Sequence, residues 1–343
     1  MRDWDYSIDV ARGIACALVV IGHVPSTPGI VHTWIYSFHM PLFYIISGMV
    51  LNTNDPFKAF FKKRIKGLLI PYFALNLLVW ITETLIKTIL SLAVSQALDF
   101  KQFLVGLVGA LIGYRLTDYY YILWFVISLF FALLISQWII QLVKNERRIG
   151  VIGILLIISN SLLWMKVRGL PLSLDVVPLA TGYVLIGFSG KRLVKGIQGQ
   201  FNWLGIPLIM INAGLAYLCS RQNGDVDLYN CQTGGLLLPI LNSIIGCMGI
   251  LMISKLIQRN RLLEFFSANS LAFYAFQNKI FIPIFDKGIS YVNRVVFSNK
   301  FATVEWIIVS IGTMIALSSV SCIINRLFPW AVGVNIYRHK LRK

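Results

Sequence analysis

Residues 8–23 read Ile-Asp-Val-Ala-Arg-Gly-Ile-Ala-Cys-Ala-Leu-Val-Val-Ile-Gly-His. The run is apolar apart from Asp9, Arg12 and His23, and ionisable groups inside a membrane-spanning helix are costly and usually functional. In a helix, the eleven residues from Arg12 to His23 bring both side chains to one face, about 20° apart in angle and about 16 Å apart along the axis. Asp9 falls about 40° from His23 on the same stripe. We therefore expect one helix face with an acid and a cation near one membrane surface and an imidazole toward the other.

The composition of the 343 residues is that of an integral membrane protein. Apolar residues make up 57% of the chain and charged residues only 13%, whereas soluble domains carry about 25% charged residues. Long apolar runs recur throughout, which predicts an all-α polytopic bundle and not a β-barrel, whose strands alternate with period two. The net charge of +17 comes from short basic clusters between apolar runs, so it indicates membrane topology and no nucleic-acid partner.

About ten membrane spans are predicted, and residues 1–343 are expected to form one membrane domain. The spans cover roughly 8–25, 30–51, 67–90, 119–143, 149–165, 174–189, 202–220, 236–257, 266–286 and 304–326. A short apolar core within 98–118 predicts an interfacial or re-entrant helix on the outer side. With both termini cytoplasmic, the inner segments hold 20 Lys and Arg residues and the outer segments 10, which is the asymmetry of the positive-inside rule.

A second histidine and a carboxylate lie in the next two spans. His39 follows the outer start of span two by about nine residues, roughly 13 Å, so His23 and His39 are expected to face one cavity in the outer half of the bilayer. Glu83 lies toward the outer half of span three. There it would either join this site or pair with Lys87 at the i,i+4 spacing.

The fourth predicted span opens with an aromatic run at residues 119–125. Such a run is most simply a belt at the membrane interface. Tyr121 and Trp124 are nonetheless our candidates for contact with the substrate, because Trp124 is the deepest large ring of the run.

The inner loop after span two is strongly basic. Residues 58–66 hold five Lys and Arg residues, among them Lys63, Arg64 and Lys66, together with two phenylalanines. Such a cluster is by default a topological signal, and it would also hold an anionic phosphate at the cytoplasmic surface.

Five cysteines show no metal-ligand spacing and most lie in apolar segments. We therefore expect neither a metal site nor a disulfide framework. Three acidic residues precede the first apolar run and no small-residue cleavage site follows it, so no cleavable signal peptide is expected.

These groups suit acyl transfer across a membrane. A histidine in a membrane cavity, with a carboxylate or a second histidine nearby, is a general base for a hydroxyl group. An arginine deeper toward the cytoplasm suits a phosphate or a developing oxyanion. The distance of roughly 16 Å between Arg12 and His23 is comparable to an extended pantetheine arm, which would let a donor enter from inside while an acceptor waits outside.

The chain resembles the acyltransferase-3 family of bacterial membrane proteins, and in particular the branch related to fucose 4-O-acetylases. The resemblance covers nearly the whole chain and is most specific in the first of these motifs: Ile8-Asp-Val-Ala-Arg-Gly-Ile-Ala with His23, His39-Met-Pro-Leu-Phe with Ile46-Ser-Gly48, Lys63-Arg-Ile-Lys-Gly-Leu-Leu-Ile-Pro-Tyr72, Leu123-Trp-Phe-Val126, Pro178-Leu-Ala-Thr-Gly-Tyr-Val-Leu-Ile-Gly187 and Ser267-Ala-Asn-Ser-Leu-Ala-Phe-Tyr274.

The resemblance implies transfer of an acetyl group from cytoplasmic acetyl-CoA to a sugar hydroxyl of a lipid-linked or cell-surface polysaccharide, in the bacterial cytoplasmic membrane. The family's arginine and histidine pair corresponds to Arg12 and His23, and its second histidine to His39. His23, helped by His39 or Glu83, would deprotonate the sugar hydroxyl or carry the acyl group transiently. Arg12 and Arg64, with neighbouring lysines, would hold the phosphates of CoA.

Two positions depart from the family pattern. The basic Arg-x-x-Arg sequence after span two is Arg64-Ile-Lys-Gly67 here, so Lys63 or Lys66 would replace the second arginine. The histidine that often follows the Ser-Leu-x-x-Tyr motif is Gln277. A catalytic role at that position is therefore in doubt.

Other functions stay open at the level of sequence. One is a different acyl donor, such as succinyl-CoA, and another is a transporter or flippase of lipid-linked sugars. Against the transporter, the two halves of the chain lack paired helices broken by glycine or proline. Besides acetyl-CoA and a glycan, the expected partners are membrane lipids, and the sequence leaves open whether the chain is a monomer or a homo-oligomer.

Overall fold

The fold is an all-α bundle, here in a computed structural model that describes residues 6–94, 100–113, 123–163, 169–196, 199–232 and 235–333. Within these ranges the one β pairing is an isolated bridge between Asp227 and Gln232. The α-helices are α1 Tyr6–His23, α2 Gly29–Tyr36, α3 His39–Met49, α4 Phe57–Arg64, α5 Ile70–Val94, α6 Phe100–Ile112, α7 Trp124–Val143, α8 Glu146–Leu163, α9 Val177–Gly196, α10 Gly205–Asn223, α11 Leu238–Ile257, α12 Arg261–Ala268, α13 Ser270–Phe276, α14 Ile282–Phe297 and α15 Glu305–Leu327.

Seven helices of the described chain are long and apolar enough to cross a membrane. They are α1, the continuous run from α4 into α5, α7, α9, α10, α11 and α15. The other three predicted spans coincide with the broken pair α2 and α3, with α8, and with the run from α13 to α14. A multi-pass helical bundle is therefore confirmed. The number ten and the cytoplasmic position of both termini stay predictions, and "outer" below refers to that predicted topology.

Helix α6 lies in the stretch for which an interfacial or re-entrant helix was predicted. Its 13 residues extend only about 20 Å, which is too short to cross a hydrocarbon core of about 30 Å. Its length therefore agrees with the prediction, while residues 98–99 and 114–118 of that stretch lie outside the described ranges.

The second span is broken in its middle, just before His39. Local side chains satisfy the freed backbone carbonyls: the Ser37 hydroxyl donates to the Trp34 carbonyl at 2.7 Å, and His39 Nδ1 lies 2.8 Å from the Ile35 carbonyl. A helix interruption at membrane depth is tolerated only where the freed backbone groups find such partners. Neighbouring helices add contacts from the Asn212 amide to the Ser37 hydroxyl and from the Cys247 thiol to the Phe38 carbonyl, and the break places His39 at the first turn of α3.

Helices α3 and α9 are in close backbone contact. A Cβ atom at Gly48 would overlap the Val184 carbonyl, and one at Gly187 would overlap the Ile45 carbonyl. Small residues at facing positions allow membrane helices to approach this closely. Two of the motif glycines therefore set the position of α3, and with it the position of His39.

Two π-helical turns interrupt the long helices, at Ile65–Leu69 and at Gln277–Phe281. The first follows Arg64 directly, and the second follows Tyr274 by three residues. Single π-helical turns are frequent at functional sites. Both interruptions lie at positions that the sequence already marks through the basic segment and the Ser-Leu-x-x-Tyr motif.

Candidate active site

Helix α1 is continuous from Tyr6 to His23, so the predicted alignment of its ionisable groups along one face holds. At its N-terminal end the Arg12 guanidinium lies 3.8 Å from the Asp9 carboxylate, which also accepts a hydrogen bond from the Ser267 hydroxyl at 3.0 Å. A Cβ at Gly13 would overlap the Leu263 carbonyl of α12. The first motif and the Ser267 motif therefore meet here, and Asp9 and Arg12 form a small ionic cluster between α1 and α12.

At the other end of α1, three histidines gather around one tyrosine. The Tyr36 ring lies 5.9 Å from the His23 ring and 4.9 Å from the His39 ring, between centroids. The His32 ring stacks on Tyr36 at 3.9 Å. We call His23, His32, Tyr36 and His39 the histidine cluster. The structure thus brings together the two histidines that the sequence predicted to share a cavity.

The hydrogen bonds of His23 and His39 define which ring nitrogen is basic. His23 Nδ1 lies 2.7 Å from the Val19 carbonyl, and His39 Nδ1 lies 2.8 Å from the Ile35 carbonyl. A carbonyl oxygen only accepts, so Nδ1 must carry the proton in both rings. In the neutral imidazoles Nε2 is then the proton acceptor, which is the form that a general base requires.

Aromatic rings continue from the histidine cluster into the bundle. The Phe125 ring lies 4.8 Å from Tyr44 and 6.0 Å from Tyr274, and the Tyr44 hydroxyl is hydrogen-bonded to the Ser128 hydroxyl at 2.7 Å. Tyr44 lies on α3, the helix that begins with His39. These rings therefore form an aromatic wall beside the helix that carries His39, with apolar surface and a few hydroxyl groups.

Trp124 is the N-terminal residue of α7, beside this wall. Its ring lies 6.4 Å from Phe125 and 5.8 Å from Tyr229, in both cases edge to face. The other predicted substrate residue, Tyr121, lies outside the described ranges. Of the two candidates, Trp124 is therefore placed at the site.

Glu83 is held in an ionic network away from the histidine contacts just described. Its carboxylate lies 2.7 Å from Lys87, as the i,i+4 interpretation predicted, and 3.8 Å from Lys279 in the second π-helical turn. Opposite charges in a medium of low dielectric attract strongly. Glu83 therefore ties α5 to the segment that carries Gln277, and no contact of the described chain joins it to His23.

The basic segment, residues 58–66, forms α4 and the start of the first π-helical turn. The Arg64 guanidinium lies over the Phe60 ring, 4.6 Å from its centroid. Lys63 pairs with Asp55 at 2.5 Å, and Lys66 is exposed on the π-helical turn. The three predicted cations therefore lie within one short helical segment at the predicted cytoplasmic end, with Lys63 and Lys66 exposed and Arg64 on the face of Phe60.

Gln277, which replaces the histidine expected from the family pattern, is fully buried. Neither its amide nitrogen nor its amide oxygen has a hydrogen-bond partner among the described residues. The position is thus packed within the bundle three residues beyond Tyr274, and among the described residues it makes no hydrogen bond with either predicted catalytic histidine.

Sequence reasoning did not single out His32, Tyr36, Tyr229 and Tyr274 as site residues. A local signal existed for two of them, since His32 and Tyr36 stand at i,i+4 and therefore share a helix face. Tyr274 belongs to a motif that was recognised but given no role. Tyr229 carried no local signal, because its contact with Trp124 joins distant parts of the chain.

Comparison with known proteins places the chain in a family. Residues 5–326 match the acyltransferase domain family. The chain is also 25% identical over 233 residues to the nodulation protein NolL of Mesorhizobium japonicum, an alignment that covers 62% of this chain and 56% of that protein. The match therefore spans little more than half the length of this relative. No solved structure matches at a significant level. Because the family match extends over nearly all of the described helices, the chain belongs to the acyltransferase-3 family, and its apolar helices make it a multi-pass membrane protein.

Proposed function

We propose that the protein transfers an acetyl group from cytoplasmic acetyl-CoA to a sugar hydroxyl of a lipid-linked or cell-surface polysaccharide, in the bacterial cytoplasmic membrane. The observation that carries this proposal is the pair His23 and His39 on either side of Tyr36, each with Nδ1 bound to a backbone carbonyl. Two imidazoles held in this tautomer each offer an unprotonated Nε2 as a base, and the imidazole that takes a proton becomes the acid for the leaving group.

The reaction needs one proton to leave the acceptor and one to reach the leaving group. Nε2 of His23 takes the proton of the sugar hydroxyl, whose oxygen attacks the thioester carbonyl carbon. The tetrahedral intermediate collapses, the carbon–sulfur bond breaks, and the proton held by the imidazolium passes to the CoA sulfur. His39 orients the reacting groups or shares this proton, and an acetyl-ester and free CoA are formed.

The donor would reach His23 from the cytoplasmic end of the bundle. Arg64, Lys63 and Lys66 offer cations for the CoA phosphates, where arginine is suited to bidentate contacts. Arg12 lies about 16 Å from His23 along the continuous helix α1, which corresponds to the reach of the pantetheine arm. Asp9 holds Arg12 in place. Glu83 is given no proton-transfer step, since two lysines engage its carboxylate.

The test is release of free CoA from acetyl-CoA by the purified protein in lipid nanodiscs, with and without lipid-linked glycans. The expected result is glycan-stimulated release by the wild type and none by the His23→Gln variant. Equal release by both proteins would overturn the role of His23. Movement of lipid-linked sugars between leaflets without consumption of any thioester would show a flippase instead. A preference for succinyl-CoA would change the proposed acyl donor and leave the rest of the proposal as it is.

A further inference from the structure

The outer loop of residues 225–232 approaches the histidine cluster and is closed by its own hydrogen bonds. The Asp227 backbone pairs with Gln232 in both directions at 2.8 Å. The Asp227 carboxylate accepts from the Tyr229 amide at 3.0 Å and from the Asn230 side chain at 2.7 Å. Leu228 and Cys231 are buried. The loop is therefore a compact turn that presents Tyr229 in a defined orientation, and such preorganisation favours binding.

The same loop contacts two elements of the site. Asp225 accepts a hydrogen bond at 2.7 Å from Thr33 of α2 and lies 3.7 Å from the imidazole of His32. The Tyr229 ring meets the Trp124 ring at the start of α7. The loop therefore joins the helix that carries His32 and Tyr36 to Trp124, on the predicted outer side.

Trp124 and Tyr229 form a corner of two aromatic walls. Their ring centroids are 5.8 Å apart and their planes meet at 64°. Aromatic rings offer a flat apolar face, while the tyrosine hydroxyl supplies a polar group at its edge. The loop that carries Tyr229 also holds the Asp227 carboxylate and the Asn230 side-chain amide. This combination matches a pyranose ring, whose C–H faces are apolar and whose edge carries hydroxyl groups.

We propose that the loop of residues 225–232 is the acceptor-binding element and that Trp124 and Tyr229 bind a pyranose ring of the acceptor. The inference rests on the proposed function and deepens it, because it names the part of the glycan that is recognised and the residues that select it. Tyr229 acts on binding and specificity, while the transfer of protons belongs to the histidine cluster.

The experiment measures binding without turnover. Saturation-transfer NMR on the nanodisc-embedded protein uses the methyl pyranosides of fucose, glucose and mannose as probes, with n-octanol as a non-sugar alcohol. Binding of at least one pyranoside is expected in the wild type. Tyr229→Ala is expected to weaken it about tenfold and Tyr229→Phe by less than about threefold, because the ring makes the contact and a tenfold change corresponds to one modest interaction. Tyr217→Ala, at an exposed tyrosine of α10, is the matched control and should leave binding unchanged.

A second measurement follows hydrolysis of acetyl-CoA without acceptor, which reports on acyl transfer separately from pyranoside binding. Tyr217→Ala, outside the site, should leave this rate unchanged. Pyranoside binding that survives Tyr229→Ala, or wild-type protein that binds none of the three pyranosides, overturns the inference. Binding of n-octanol with the same dependence on Tyr229 also overturns it, since the surface would then recognise apolar alcohols. If pyranoside binding depends on Tyr229 but no CoA is released under any condition, the proposed acetyl transfer is contradicted, whereas the proposed acceptor-binding element is supported.

Discussion

The histidine cluster and the basic segment carry ionisable groups in opposite ways. In the cluster, His39 is 3% exposed, and His23 and His39 are each bound by a backbone carbonyl. In the basic segment, Lys63 is about half exposed and Arg64 lies on the face of a phenylalanine ring. The first arrangement defines atom positions in a medium of low dielectric, while the second presents charge that salt can screen. The first therefore suits chemistry, and the second suits capture of a polyanion.

The largest expected effect comes from removing a base of the histidine cluster. We expect His23→Gln or His39→Gln to lower kcat for acetyl-CoA turnover at least about 100-fold, because general acid–base catalysis contributes about 10²–10⁴-fold. The measurement is the rate of CoA release at saturating acetyl-CoA. His32→Gln is the matched control, because His32 contacts the same Tyr36 ring but is about one-third exposed. Full activity of the His23→Gln and His39→Gln variants, together with loss of activity in His32→Gln, would contradict the assignment of His23 and His39 as the bases.

The next effect concerns the helix that carries His39. Gly187→Leu should push α9 away from α3, because the new Cβ would overlap the Ile45 carbonyl, and overpacking typically costs about 1–3 kcal/mol. The expected result is a Tm several degrees lower in a thermal unfolding assay. Gly190→Leu is the control on the same helix, since no heavy atom from any other described part of the chain lies within 4 Å of the place that its Cβ would occupy. Equal Tm values for both variants would contradict the close contact.

A smaller effect is expected at the basic segment. Arg64→Gln should raise KM for acetyl-CoA about tenfold with little change in kcat, since a charge-assisted hydrogen bond contributes about 1.5–3 kcal/mol in favourable cases. A higher salt concentration should reduce the difference in KM for acetyl-CoA between this variant and the wild type. Lys144→Gln, at a lysine of another inner loop, is the control. A fall in kcat at unchanged KM would place Arg64 in the chemistry and remove the contrast between the two regions.

The smallest effect is expected for the ion pair between Asp55 and Lys63, next to Arg64 in the basic segment. Asp55→Asn should change the free energy of unfolding by less than about 1 kcal/mol, because exposed salt bridges contribute little. The same change frees the Lys63 ammonium from a competing carboxylate. A modest fall in KM for acetyl-CoA is therefore expected, measured beside the unfolding midpoint. A marked loss of stability would show that the basic segment is held as firmly as the histidine cluster.

Local sequence determined the features that follow from helix geometry alone. The alignment of Asp9, Arg12 and His23 requires only a continuous helix, and α1 is one. The pairing of Glu83 with Lys87 requires only the i,i+4 spacing. The multi-pass bundle follows from the apolar runs, because the bilayer leaves helices as the way to satisfy their backbone groups.

Tertiary structure decided which of these groups meet. Asn212 and Cys247 of distant helices contact the break before His39. Lys279 reaches Glu83, and Tyr229 reaches Trp124, across large separations in the chain. Contacts of this kind depend on how helices pack and on where glycines allow close approach. The helical repeat of 3.6 residues in the sequence therefore does not predict them. The sequence by itself therefore determined the helices and the candidate bases, whereas the packing decided the surroundings of each base.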